Sequence, residues 1–280
     1  MTGLARAGFC LALLSWLPAL AGSQASFLWL PALAGSQTPA LASARTWLER
    51  RAEIEEYMRT GPILNSEDIP VGVTKPKKVQ LAPGGPVEYF AWKVIPPGRR
   101  NGFWESYKSE IAAYELDKLI GLDMKPPTVE RRIRGDLGAA IMWCEPTKSF
   151  TELGGVPKPP PQHLASWNRQ IMRAKMFDNL IHNKDPNLGN WLIDPAWNVI
   201  LIDHSRAFTG DRGMIHDLSR VDGELWDRMK ALTEENLTAA LRPWVLGGGE
   251  IRAILQRRDR MQAKIDDLIA ARGEAAVIMR

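Results

Sequence analysis

FDNLIHNKDPNLGNWLID spans residues 177–194, and a little further on LIDHSRAF begins at Leu201. Between apolar flanks these strings hold Asp185, Asn190 and Asp203, the second five residues after the first and the third thirteen after that. Asp185-Pro186-Asn187 is turn chemistry on a loop leaving a helix. NVILID reads as a strand, and a hairpin of that length returns the chain alongside itself, so Asn190 and Asp203 can meet. Hard cations of the magnesium type take carboxylate, amide, phosphate and water oxygens, which makes this pair a metal-ligand expectation. Phosphoryl transfer asks for little more: a cation on the phosphates, metal ligands, and a carboxylate aimed at the acceptor hydroxyl, the place left for Asp185. Taken singly, Asp185 is a turn residue, and Asn190 and Asp203 end strands. Their joint order carries the weight.

Working outward, YFAWKVI puts Lys93 in an apolar strand, where an ammonium is costly unless it finds a partner. Glu110 follows seventeen residues later on a helix predicted over 103–121. Singly, Lys93 is a snorkelling edge-strand lysine and Glu110 a solvated helix acid. Together they fit the protein-kinase pattern, in which a strand Lys pairs with a helix Glu. There a catalytic Asp, a metal Asn and a metal Asp follow at the same five- and thirteen-residue spacings.

The helix SEIAAYELDKLIGLDMKPP closely resembles that of the secretory-pathway kinases, the group containing the Golgi casein kinase and its xylose-kinase relative. FDNLIHNKD and IDHSRAF are similar to that family's motifs around its catalytic and metal acids. DPNLGNWLI resembles the loop of type II phosphatidylinositol 4-kinases. The resemblance covers roughly residues 79–225. It implies an α+β, bilobal protein-kinase-like fold with a small β-rich N-lobe and a larger helical C-lobe. It also implies ATP with Mg²⁺ or Mn²⁺. Lys93 would hold phosphates, Glu110 orient Lys93, Asp185 act as base, and Asn190 and Asp203 bind the metal. Gly84-Gly85 stands in for the phosphate-covering turn. Glu145, before Pro146, falls where kinases pass an adenine-binding backbone between lobes. The acceptor would carry a hydroxyl on a protein, a sugar or a lipid headgroup.

The sequence also departs from that family. Pro186 stands where the family usually has Arg, His204-Ser205 replaces Asn-Gly, the disulfide cysteines are missing, and the glycine turn is reduced. Two alternatives stay open: a pseudokinase binding nucleotide or a partner protein, and a small-molecule phosphotransferase like the aminoglycoside kinases. The latter share an Asp, an Asn five residues on, and a later Ile-Asp.

The remaining organisation divides as a leader over 1–44, a helix and linker over 45–78, the N-lobe over 79–153, a Pro-rich connector GGVPKPPPQ over 154–162 as the lobe boundary, and the C-lobe over 163–280. Helices are predicted over 43–61, 103–121, from about Leu164 to Ile181, and around 217–242 and 249–272. Strands flank the Pro-Gly-Gly-Pro turn and an Arg134-Gly135-Asp136 turn, and PPGRRNG is a loop.

Composition is ordinary for a globular chain, with 45% hydrophobic and 24% charged residues. A net charge of +4 is compatible with an anionic ligand and carries no argument for nucleic acid, whose base-reading motifs are absent. His182 and His204 lack zinc spacing, and no G-x-S-x-G elbow occurs. The first residues carry Arg6, an apolar run and Ala19-Leu20-Ala21, a secretory signal pattern. WLPALAGSQ at 16–24 recurs at 29–37, a tandem duplication that repeats the cleavage pattern at Ala32-Leu33-Ala34, with a third at Ala42-Ser43-Ala44. Export with cleavage is expected. The alternatives are an N-terminal anchor that keeps the chain at a membrane, and a misassigned start. Of Cys10 and Cys144, only Cys144 lies beyond the leader, as a small core residue.

Overall fold

The computed structural model describes residues 43–70, 76–245 and 247–280. The leader and its first two cleavage patterns lie outside them. Of the third, Ser43 and Ala44 are described. Ser43 Oγ donates to Asp194 at 3.3 Å and the Ala44 amide at 2.9 Å, so cleavage after Ala44 would remove both contacts.

The chain opens with α1 (Arg51–Thr60), followed by β1 (Ile63–Asp68), β2 (Lys77–Leu81) and β3 (Tyr89–Lys93). Next come β4 (Gly98–Arg100), β5 (Phe103–Glu105), α2 (Tyr107–Ile120), β6 (Thr128–Ile133) and β7 (Asp136–Met142). Five of the strands form one antiparallel sheet in the order β1-β2-β3-β7-β6. α1 lays Ile54 and Met58 into a core with Trp47, Phe90 and Trp92. Its last turn is held by Arg131 of β6, which donates to Met58 O at 2.6 Å and Gly61 O at 2.5 Å.

The helix predicted over 103–121 begins later, at Tyr107. Ser106 caps it by accepting the Lys108 amide at 3.0 Å, and Gly121 ends it in the left-handed conformation. Ten of its fourteen residues are buried, because it lies between β6 and β7 on one side and C-terminal helices on the other. Residues 98–105, predicted partly as loop and partly as helix, form the β4–β5 hairpin instead. Asn101 and Gly102 both take positive φ at its turn, the conformation Asn-Gly is suited to.

The second half contains β8 (Lys148–Ser149), α3 (Leu164–Ile181), β9 (Trp191–Ile193) and β10 (Val199–Leu201), then α4 (Gly223–Lys230), α5 (Glu234–Leu241) and α6 (Gly248–Arg272). The helix expected around 217–242 is thus two helices, and Thr233 caps the second in a capping box with Asn236. The lobe boundary also needs correction. Lys148 and Ser149 already pair with Ile193 and Leu192 of β9, so the chain crosses at 143–147 and the Pro-rich 154–162 comes after the crossing. A large core gathers around α3, while Ile200 of β10 packs into the sheet's own core and joins the halves.

One close approach sets the position of β3. A Cβ on Gly138 of β7 would lie 2.5 Å from the Lys93 carbonyl and 2.8 Å from Trp92 Nε1, contacts real Cβ atoms do not make. Gly138→Ala is expected to displace the Lys93 end of β3 and to cost ~1–3 kcal/mol, as overpacking does, measured by urea unfolding.

Candidate active site

Lys93 ends β3 with its ammonium buried. Nζ lies 2.9 Å from Glu110 Oε1 in the first turns of α2 and 2.8 Å from Asp203 Oδ1 beyond β10. Glu110 is fully buried, and its second oxygen is also taken. Lys125 Nζ donates to Oε2 at 3.0 Å and the His204 amide at 3.0 Å. Burial works against the Glu110 charge, but Lys93 and Lys125 outweigh it and hold the carboxyl well below the usual carboxylate range. Burial likewise pulls the Lys93 ammonium down, and Asp203 and Glu110 more than reverse it, leaving it above an ordinary lysine. The buried His204 ring is pushed well below its ordinary value by desolvation and by Lys125, so the imidazole is neutral.

Asp203 takes a left-handed backbone, φ 58°, as the chain leaves β10. The Ile202 amide donates to Asn190 O at 3.0 Å, which draws the two ends of the β9–β10 hairpin together. Asn190 Nδ2 donates to Asp185 O at 3.0 Å, and among the described residues its Oδ1 accepts no hydrogen bond. The Asp203 carboxylate accepts from Ser205 Oγ at 3.1 Å and is 32% exposed, so one face stays open. A carboxylate and an amide oxygen are hard donors and fit a cation of the magnesium or manganese type whose other ligands are phosphate and water.

Asp185 is held on three sides. Its amide donates to Asn183 Oδ1 at 3.1 Å, Oδ1 accepts from Asn187 at 2.7 Å, and Oδ2 lies 3.3 Å from Arg206 Nη1. Asn183 is itself anchored on buried Asp178 at 2.9 Å. Arg206 reaches across to the first half, with Nε 2.7 Å from Glu105 Oε1 and the guanidinium 4.6 Å from the Phe103 ring centre. Beside it lies a cavity of about 650 Å³, lined by Phe103 and Trp104 of β5, by Lys184, and by the loop from Phe208 to Asp211.

Lys93, Glu110 and Asp203 therefore meet directly, with Asn190 and Asp185 on the adjoining loop. Gly84 and Gly85 do not join them. They form the β2–β3 turn, at the Tyr89 end of β3, and a Cβ at Gly85 would lie 2.0 Å from the Tyr57 ring of α1. The β1–β2 connection is the one at the Lys93 end, since Lys77 pairs with Trp92. It is closed by the Ile69 amide on Pro76 O at 2.9 Å, and its residues 71–75 lie outside the described ones. Glu145 sits in the crossing segment, and its Oε1 accepts from Lys78 Nζ at 3.4 Å and from Trp143 Nε1 at 2.5 Å. Sequence reasoning missed Lys125 and Arg206. Lys125 had the signal that drew attention to Lys93, a lysine among Leu122, Met124 and two prolines.

No protein-family model and no curated protein sequence matches the chain. Among solved structures it is similar to hydra Fam20 with sugar, at TM-score 0.62 and 16% identity, covering 82% of this chain and 92% of that one. It is also similar to the Golgi casein kinase with Mn/ADP bound, at TM-score 0.63 and 16% identity, covering 82% and 79%. The fold is a divergent kinase-like fold, a mixed α+β architecture built on an antiparallel sheet.

Glu110→Gln would leave the buried Lys125 ammonium without its carboxylate and Lys93 with Asp203 alone, and is expected to cost ~3–5 kcal/mol at neutral pH. Because the folded-state carboxyl is held below its ordinary value of 4.5, the charge contributes fully above about that pH and progressively less below it. The stability gap between wild type and variant should stay level from about pH 7 to 5 and narrow below about 4.5 in denaturant titrations.

Proposed function

We propose that this protein is an ATP-dependent phosphotransferase of the secretory-kinase type that passes the γ-phosphate to a hydroxyl acceptor. The observation that carries the reading is the convergence of Lys93, Glu110 and Asp203 in one buried ion-paired group, with Asn190 and Asp185 beside it. Lys93 would bind the phosphates, and Glu110 holds its ammonium in place. Asp203 and Asn190 would hold Mg²⁺ or Mn²⁺ by their oxygens. The bound metal–ATP complex supplies the phosphoryl group and the charge neutralisation. Asp185 would orient the acceptor hydroxyl and take its proton. The backbone of the 143–147 crossing would meet the adenine, and the cavity beside Lys184 would admit the acceptor, a protein, sugar or lipid headgroup. The leader pattern supports export, and the Golgi origin of one structural neighbour agrees with it. No helix among the described residues is long and apolar enough to cross a membrane.

A second reading, a nucleotide-binding pseudokinase, is favoured by Pro186 and by the engagement of the Asp185 carboxylate with Arg206 and Asn187. Incubation with γ-labelled ATP and Mn²⁺, and then separation of protein, lipid and sugar pools, decides between the readings. Label in a macromolecular or lipid pool supports the first. Label in low-mass acceptors alone supports a small-molecule kinase. Nucleotide binding with no label anywhere supports the second.

The two acids should separate in mutants. Asp203→Ala removes a metal ligand and should abolish most of the thermal shift given by Mn²⁺-ATP. Asp185→Ala should keep that shift while turnover drops roughly a hundred- to ten-thousand-fold, the range for general-base catalysis. Equal loss of the shift in both would make Asp185 a metal ligand too.

A further inference from the structure

Lys125 lies on the loop after α2, and none of its surface is exposed. A lysine so placed is costly unless its charge is used. The loop is rigid for identifiable reasons. Asp117 accepts the amides of Met124 and Lys125, both at 2.9 Å, the Met124 carbonyl accepts the Leu201 amide at 2.9 Å, and Pro126-Pro127 stiffen the backbone leading into β6. The ammonium is thus delivered to a fixed point, 3.0 Å from Glu110 Oε2, while Lys93 occupies Oε1.

The charges in this pocket then balance as two ammonium groups, Lys93 and Lys125, against two carboxylates, Glu110 and Asp203. Glu110 is shared between two cations. If Asp203 turns from Lys93 to a metal, Glu110 cannot neutralise both lysines, and the pocket is left one positive charge in excess. Without Lys125, the same movement would leave Lys93 and Glu110 as a neutral pair. The excess charge appears on the side from which Asp203 departs, where an anion would enter.

We propose that Lys125 is a positioning residue for nucleotide phosphate: it pins Glu110 and keeps Lys93 incompletely neutralised, so that Lys93 can exchange Asp203 for a phosphate oxygen. The proposal rests on the reading of this cleft as a nucleotide site and adds a second lysine to it. Discrimination should therefore depend on ligand charge. Loss of Lys125 weakens binding of a diphosphate and leaves binding of the uncharged nucleoside alone.

The test compares wild type with Lys125→Met, which keeps the stem and removes the charge, by calorimetric titration with Mn²⁺-ADP and with adenosine. ¹⁵N-lysine spectra of the nucleotide-free proteins report the Lys93 ammonium, identified by its loss in Lys93→Met. The expected result is a Kd for Mn²⁺-ADP raised about tenfold or more in Lys125→Met, an unchanged Kd for adenosine, and a displaced Lys93 resonance. Equal weakening of both ligands with a lower melting temperature would reduce Lys125 to a structural residue and overturn the proposal. So would an unchanged Mn²⁺-ADP affinity. If wild type binds no Mn²⁺-ADP, the nucleotide reading fails by itself. An unmoved Lys93 resonance in Lys125→Met would independently overturn the role given to Lys125. Should Lys125→Met fail to fold, Lys125→Gln, which keeps a polar head without the charge, stands in, and wild-type affinity for Mn²⁺-ADP in it would overturn the proposal.

Discussion

A buried ammonium needs carboxylates, and the carboxylates that meet Lys93 come from opposite ends of the chain's architecture. Glu110 arrives on α2, packed under the sheet, and Asp203 arrives at the end of a hairpin built on the helical half. Neither acid is near Lys93 in sequence, so the ion pairs form only when sheet, helix and hairpin are all correctly placed. The supporting contacts serve that requirement. Gly138 lets β3 sit close to β7, Asp117 fixes the loop that carries Lys125, and the His204 amide ties the hairpin end back to Glu110. Such a group is poor evidence for stability, since removing charges from water costs about what their attraction returns. In the proposed function the group is held ready for an anion.

Much of this was legible in the sequence because each element carries a local reason for its form. α3 is bounded where its apolar period starts and stops. The β2–β3 and β6–β7 hairpins are marked by Gly-containing turns between apolar runs, and Asn190 and Asp203 converge because a hairpin must return. Lys93 stood out because a charge in an apolar strand needs a partner, although the sequence could not say that it would have two.

The misreadings share a cause: local chemistry was taken for function where tertiary register decides. Gly84-Gly85 is a proper turn signal, but register puts it at the wrong end of β3 and under Tyr57. The Pro-rich 154–162 looks like a linker, yet the crossing is five residues that lack linker composition, and only the pairing of Lys148 and Ser149 with β9 locates it. Asn101-Gly102 was a readable hairpin signal that the helix pattern downstream obscured. Lys125 and Arg206 are different in kind. Their importance lies in which carboxylate they reach, and no spacing rule connects residue 125 to 110 or 206 to 105.

In the proposed function Asp203 and Asn190 present oxygens to a metal that carries nucleotide phosphate against Lys93. Anomalous diffraction at the manganese edge, from crystals of the protein grown with Mn²⁺ and ADP, tests it most directly. A manganese peak is expected within coordination distance of the Asp203 carboxylate and the Asn190 Oδ1, with a phosphate oxygen against the Lys93 ammonium. Nucleotide bound elsewhere, or manganese in a site that excludes Asp203, would contradict it.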